Sequence, residues 1–298
     1  MQKLIILVGP TASGKSALGI QLAKKYGGEI ISADSRQVYT GLNIGTGKVT
    51  TREMQRIPHH LLDVANPKKR FDVSQFKKLG EKSIKNISKR GVVPIIVGGT
   101  GFYIDALVYD IVFPEVAPDV RLRTELSKLS NTELIHVLIS LDPERAETID
   151  TQNPVRLIRA IEIAKSIGKT PPLNYKSIYN VLFIGLTLDK VALQKKIHGR
   201  LMLRIKIGMV LEVKKLHADG LSWKRLIELG LEYRYIALYL QNKISKEEMI
   251  TQLEREIIQY AKRQMTWFKR NKNIHWFNVE DSNAKKNIDT LIGSFLKV

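Results

Sequence analysis

"KLIILVGPTASGKSALGIQLAKKYGG", residues 3–28, decides the fold. Lys3 to Val8 is a short apolar run ending in a Gly-Pro turn, the pattern of a buried strand. From Lys15 the apolar residues fall at helical spacing and stop at a glycine pair, the pattern of a helix. Between them, Gly9-Pro10-Thr11-Ala12-Ser13-Gly14-Lys15-Ser16 matches G-x-x-x-x-G-K-[ST] in the strand–loop–helix context that motif requires. Its glycines let backbone N–H groups turn inward around an anion, and the helix N-terminus adds its positive end. Lys15 is placed to reach phosphate charge, and the Ser16 hydroxyl to reach Mg²⁺. Which phosphate the loop holds is left open by the motif.

Working outward, "EIISAD" (29–34) reads as a second strand and "VVPIIVGG" (92–99) as a third. "RFDVSQFKKLGEKSIKNISKRG" (70–91) between them reads as a helix. Alternation of strand and helix predicts an α/β fold with a parallel sheet flanked by helices. Residues 114–180 change character. Prolines stand at both ends, at 114 and 118 and then at 171 and 172, around helical patterns at 119–129, 131–141, 142–149 and 153–168. This predicts a small helical insertion domain at 114–180 in a core formed by 1–113 and 181–298. "YNVLFIGLTLD" (179–189) returns to strand, and 190–270 is amphipathic helix broken around Gly220 and Gly230.

The chain has 298 residues, ample for a real core. It contains no cysteine, which excludes disulfides, thiolate catalysis and cysteine-ligated zinc. No apolar run is long enough to span a membrane, and the run at Leu4–Val8 is too short for a signal peptide. A cytoplasmic protein without membrane contact, working as a monomer, is the expectation. The net charge is +19, unevenly placed: +9 in 1–110, zero in 111–180 and +10 in 181–298. Two basic ends around a neutral middle suit a polyanionic partner such as nucleic acid. Solubility charge is the plainer explanation.

In an open parallel sheet, ligands sit beyond the carboxyl ends of strands. The phosphate loop, Asp34 and Thr100 all fall there. A carboxylate beside a phosphate site suits Mg²⁺ ligation or general base work, although aspartate at a strand end is also a common turn cap. Thr100 among its glycines also suits a plain turn. No hydrophobic strand near the loop ends in the metal-positioning acid typical of nucleotide hydrolysis; Asp189 offers one far along the chain. "GTGK" (45–48) is a candidate anion contact or a turn. His59-His60 offers no third metal ligand. "QYAKRQMTWFKRNKN" (259–273) interleaves aromatics with cations. Its aromatics are expected in the core, with Arg263 as a nucleic-acid contact. Arg156 and Arg159 share a helix face, suited to phosphate or base contact or to pairing with Glu162.

Together these stretches resemble the tRNA dimethylallyltransferase family, the isopentenyl transferases of bacterial type. The carriers are "GPTASGKS" (9–16), "ISADSRQVYTGLNIGTGK" (31–48), "PHHLLDV" (58–64), "PIIVGGTGFYIDAL" (94–107), "NPVRLIRAIE" (153–162) and "QYAKRQMTWF" (259–268), in the family's order. The resemblance implies a P-loop NTPase-like fold. It implies that residues 9–16 bind the diphosphate of dimethylallyl diphosphate, with Mg²⁺ at Ser16. It implies transfer of the dimethylallyl group to N6 of the adenosine just 3′ of the anticodon, with the tRNA anticodon stem-loop as partner. Asp34 would then hold the amine and take its proton, and Thr100 would orient Asp34 or the leaving oxygen. Ser35, Arg36 and Gln37 would read the adenine. The family's second tRNA-contacting segment matches Val155, Arg156, Leu157, Ile158 and Arg159, with Arg121 a weaker match. The chain departs from the family at "LGLEYRYIALYLQ" (229–241), so Arg225 and Arg234 receive no role, and at Ile258, where many relatives carry a basic residue.

Three other readings compete. A small-molecule kinase shares the loop and sheet, and would ignore tRNA. An adenylate prenyltransferase shares the chemistry but needs no wide basic surface. A nucleic-acid-binding protein with a vestigial loop leaves Lys15, Ser16, Asp34 and Thr100 unexplained.

Overall fold

The computed structural model describes residues 1–109, 111–171 and 175–297. The prolines expected to close the insertion include Pro172, which lies outside the described residues. The chain divides into two compact units, Met1–Tyr109 with Ser177–Val298, and Asp110–Lys176. The core thus resumes four residues earlier than the 181 read from sequence. An antiparallel bridge between Tyr109 and Ser177 pairs the two ends of the core ahead of the next strand.

The first unit runs β1 (Lys3–Val8), α1 (Lys15–Tyr26), β2 (Gly28–Ala33), α2 (Thr51–Met54), β3 (His59–His60), α3 (Val73–Lys89), β4 (Val93–Gly98) and α4 (Gly101–Val108). The second holds α5 (Val120–Leu126), α6 (Asn131–Leu141), α7 (Pro143–Thr148) and α8 (Pro154–Ile167). The first then continues with β5 (Asn180–Thr187), α9 (Lys190–Lys206), α10 (Met209–Ala218), α11 (Trp223–Leu229), α12 (Leu231–Leu240), α13 (Lys246–Phe268), β6 (Ile274–Asn278) and α14 (Ala284–Lys297).

Six strands form one parallel sheet in the order β3-β2-β4-β1-β5-β6. Parallel sheets are covered on both faces, which explains why every residue of β1 after Lys3 is buried. Leu4, Ile6 and Val8 face a cluster completed by Phe76, Ile84, Ile104 and Phe268. Ile5 and Leu7 face the opposite layer with Ile20, Leu22, Ile288 and Ile292. Alternate residues of one strand thus feed two cores, as the two-residue period of a strand requires. A third cluster, rich in residues from α9 to α13, packs around Val38, Tyr39 and Leu42.

Two strands were not legible. β3 is only His59–His60, too short to alternate, and β6 follows a strongly basic helix end. The histidines serve the edge of the sheet. His60 bonds Glu29 at 2.7 Å and His59 bonds the Ile57 carbonyl at 2.8 Å. Glu29 also takes both nitrogens of Arg90, at 2.5 and 2.7 Å.

That Arg90 fork holds the buried Glu29 carboxyl down at about 2. A depressed acid gives stability that is complete above its unfolded value of 4.5 and lost as pH falls toward 2. We therefore expect Glu29→Gln to lower unfolding free energy by about 1–3 kcal/mol at neutral pH. Urea melts of both proteins should converge as pH falls through that window, and a constant gap would contradict the assignment.

Candidate active site

The strand order places β4 between β1 and β2, so the phosphate loop, Gly98–Thr100 and Asp34 leave the sheet side by side. The loop turns at Gly9, with φ 145°, where a Cβ would stand 2.5 Å from the Leu186 carbonyl oxygen. Ala12 has φ 64°, and Gly14 has φ 89° as the N-cap of α1. No side chain caps α1, so its first N–H groups are left for an anion.

Lys15 donates to the Pro10 carbonyl at 2.7 Å. Burial, aided by Arg200, lowers its pKa to about 7 despite the opposing pull of Asp34. Ser13 is 2% exposed, and its hydroxyl has no protein partner among the described residues. Ser16 is exposed and lines the same cavity.

The cavity has a volume of about 620 Å³. Its wall includes residues 11–16, Asp34 and Gln37, with Arg200, Tyr260 and Gln264 on the helical side. Asp34 is both cap and wall. Its Oδ1 accepts from the N–H groups of Arg36 at 2.8 Å and Gln37 at 3.3 Å. Its other oxygen takes no bond within the described residues. Thr100 stands behind this turn: its hydroxyl oxygen accepts the Ser35 N–H at 3.0 Å, and its own N–H donates to Ala33. Ser35 and Arg36 do not line the cavity; the Arg36 Nε donates to the Leu229 carbonyl at 2.6 Å. Gln37 lines it, with its amide nitrogen on Thr46 and its oxygen on Ser32.

Three contributors were not read from sequence. Gln264 on α13 accepts the Thr11 N–H at 2.8 Å and donates to the Gly99 carbonyl at 2.9 Å. Arg200 and Arg204 sit one turn apart on α9 and both line the cavity. Burial and the charge of Arg204 lower the Arg200 pKa to about 10. Arg204 pairs with Glu232 and donates to the Gly45 carbonyl at 3.2 Å. The i, i+4 spacing of the two arginines was visible, but α9 carries so many cations that spacing alone singled out neither.

The "GTGK" turn is satisfied from within. Glu212 on α10 accepts the N–H groups of Asn43, Ile44 and Gly45 at 3.0, 2.6 and 3.0 Å. Lys48 bonds Tyr39, Asn43 and Asp63. Asp189 caps α9 through the N–H groups of Val191 and Ala192, so its carboxylate serves a helix end. Trp267 and Phe268 join the core as expected, while Tyr260 faces the cavity. Arg263 is outside the cavity, with its side chain 61% exposed near Glu256.

In the second unit, Leu157 is 0% exposed among Leu126, Leu134 and Leu138, and Ile158 packs against them. These two serve the helical core: the Leu157 side chain has no exposed surface, while Ile158 is half-buried and keeps part of its surface open. Arg159 pairs with Glu162 and donates to the Val116 carbonyl. Glu162 also takes a two-point bond from Arg123 and the Asp119 N–H. Burial alone would raise its carboxyl, but these donors hold it at about 2. Arg121 and Val155 are exposed, and Arg156 is an exposed partner of Asp150.

The family described as IPP transferase matches residues 37–271. A tRNA dimethylallyltransferase of Anoxybacillus flavithermus is 41% identical, with 94% of this chain and 91% of that protein aligned. One from Bacillus mycoides is 40% identical over 96% and 93%. A tRNA isopentenylpyrophosphate transferase of Bacillus halodurans superposes with a TM-score of 0.77 at 36% identity, covering 100% of this chain and 97% of that one. A eukaryotic dimethylallyltransferase acting on tRNA superposes at 0.87 and 25% identity, over 100% of this chain and 80% of that one. The chain belongs to the IPP transferase family, and its fold is the P-loop NTPase-like sheet of that family.

Lys15 is the measurable feature of this site. A pKa of about 7 would leave most of it neutral at about pH 8 in the free protein, and a diphosphate held by the loop would draw a proton onto it. Calorimetric titration with pyrophosphate in two buffers of unlike ionisation enthalpy should show about one proton more taken up by the wild type than by Lys15→Arg. Equal uptake by the two proteins would place the diphosphate elsewhere.

Proposed function

We propose that this chain transfers the dimethylallyl group of dimethylallyl diphosphate to N6 of the adenosine immediately 3′ of the anticodon in tRNA, releasing diphosphate. One observation carries the reading. The phosphate loop and an uncommitted oxygen of Asp34 face one cavity, and the other acid of its wall, Glu53, is taken up by the capping box of α2.

The N–H groups of the loop and of α1 bind the diphosphate, with Lys15 and Arg200 as its cations. Such donors gain strength as charge collects on the leaving oxygen. The N6 lone pair forms the bond to C1, the C1–O bond breaks with its electron pair on the diphosphate, and the N6 proton passes to Asp34. Thr100 acts through Asp34: by holding the Ser35 N–H it fixes the turn that aims the carboxylate. The site also fits Mg²⁺, a hard ion that takes one or two protein oxygens and completes its shell with phosphate and water. The exposed Ser16 hydroxyl is the protein oxygen that would hold it, and the ion would neutralise diphosphate charge.

The adenine must leave the anticodon-loop stack to reach Asp34. Gln37 is the one residue of the 35–37 segment on the cavity wall, and it is the reader of the base. The net charge of +19 supports a polyanion as partner, and Arg121, Val155, Arg156 and Arg263 are the exposed contacts assigned to tRNA. The enzyme acts as a cytoplasmic monomer. The metal-positioning acid typical of nucleotide hydrolysis is poorly represented, because β4 ends in glycine and Asp189 caps α9.

The test is direct transfer of radiolabel from dimethylallyl diphosphate with Mg²⁺, to unmodified tRNA in one tube and to AMP in another. Label should enter tRNA alone. Asp34→Asn should lower the transfer rate by about 10²–10⁴ while leaving pyrophosphate affinity intact. Label in AMP, or ATP turnover without label, would reject the reading.

A further inference from the structure

Tyr260 is the one aromatic side chain among the described residues that line the cavity. It lies on α13 one turn before Gln264, and residues four apart share a helix face. Gln264 grips the phosphate loop, so Tyr260 is held alongside that loop. Its hydroxyl end lies close to Thr100 and senses the charge of Asp34. The ring thus shares one cavity wall with the loop that takes the leaving group and the carboxylate that meets the nucleophile.

We propose that Tyr260 is a catalytic residue whose ring face stabilises positive charge on the allylic carbons as the C1–O bond stretches. The inference rests on the prenyl-transfer reading. As that bond breaks toward diphosphate and the N6 bond forms, positive charge spreads over C1 and C3. Cations outnumber acids on the cavity wall, with Lys15, Lys48, Arg200 and Arg204 against Asp34 and Glu53. An aromatic face is negative, attracts a desolvated cation, and forms no bond with it. A carboxylate at the same place would instead trap the allyl group as an ester. The ring already has a cation at hand, since the Arg263 guanidinium stands 6.0 Å from its centroid. Burial pushes the phenol pKa well up, so the hydroxyl stays protonated and does not compete with N6 as a nucleophile.

Single-turnover transfer to tRNA tests this with Tyr260→Phe and Tyr260→Leu. The phenylalanine variant should stay within about threefold of the wild type, and the leucine variant should lose about 10- to 30-fold. Pyrophosphate affinity should be equal in all three, which also reports that the site is folded. Phenylalanine carrying one, two or three ring fluorines at position 260 keeps the shape while draining the ring face. The rate should fall stepwise with each fluorine. A leucine variant at the wild-type rate, or a flat fluorine series, would overturn the inference while the prenyl-transfer reading stands. A wild type that transfers no label would overturn that reading and this inference with it.

Discussion

The site depends on one buried amide. Gln264 is 6% exposed and bridges two turns that leave different strands, accepting from Thr11 after β1 and donating to Gly99 after β4. A side chain in place of the Gly99 hydrogen would collide with it, and one at Gly101 would collide with the Trp267 ring. Gly99 and Gly101 are therefore there for close approach: they let α13 rest directly on the sheet end. An unpaired amide at this depth would cost about 1–3 kcal/mol, so the bridge also fixes which way α13 faces. Tyr260, one turn earlier, is carried into the cavity by the same helix.

A second device sets the opposite wall. Glu212 fills the three N–H groups of residues 43–45 and accepts from the Tyr233 hydroxyl at 2.9 Å. The Arg204–Glu232 pair stands beside it, and a Cβ on Gly47 would strike the Arg204 guanidinium. The departure at 229–241 thus has a structural partner on α9. Burial raises the Glu232 carboxyl, and the Arg204 charge opposes that rise.

The phosphate loop, β1, β2, β4, β5 and the helices of the insertion were legible because each is signalled within about ten residues, by apolar runs, caps and glycine stops. Asp34 and Thr100 were legible from strand ends alone. Gln264, Arg200, Arg204 and Glu212 were not, because the loops beside which they stand lie more than a hundred residues away and nothing local distinguishes them from other polar groups on amphipathic helices. Leu157 shows two signals at one position: the motif carries it as a contact, and its apolar spacing on α8 also marks it as core, where its side chain is buried.

The central claim is that the loop at 9–16 holds a prenyl diphosphate. Its most direct measurement is calorimetric binding of the unreactive analogue dimethylallyl thiolodiphosphate to the wild type and to Lys15→Gln, with ATP titrated separately. The account predicts saturable binding of the analogue that pyrophosphate displaces and that Lys15→Gln weakens at least about tenfold. Tight binding of ATP, with no affinity for the analogue, would contradict it.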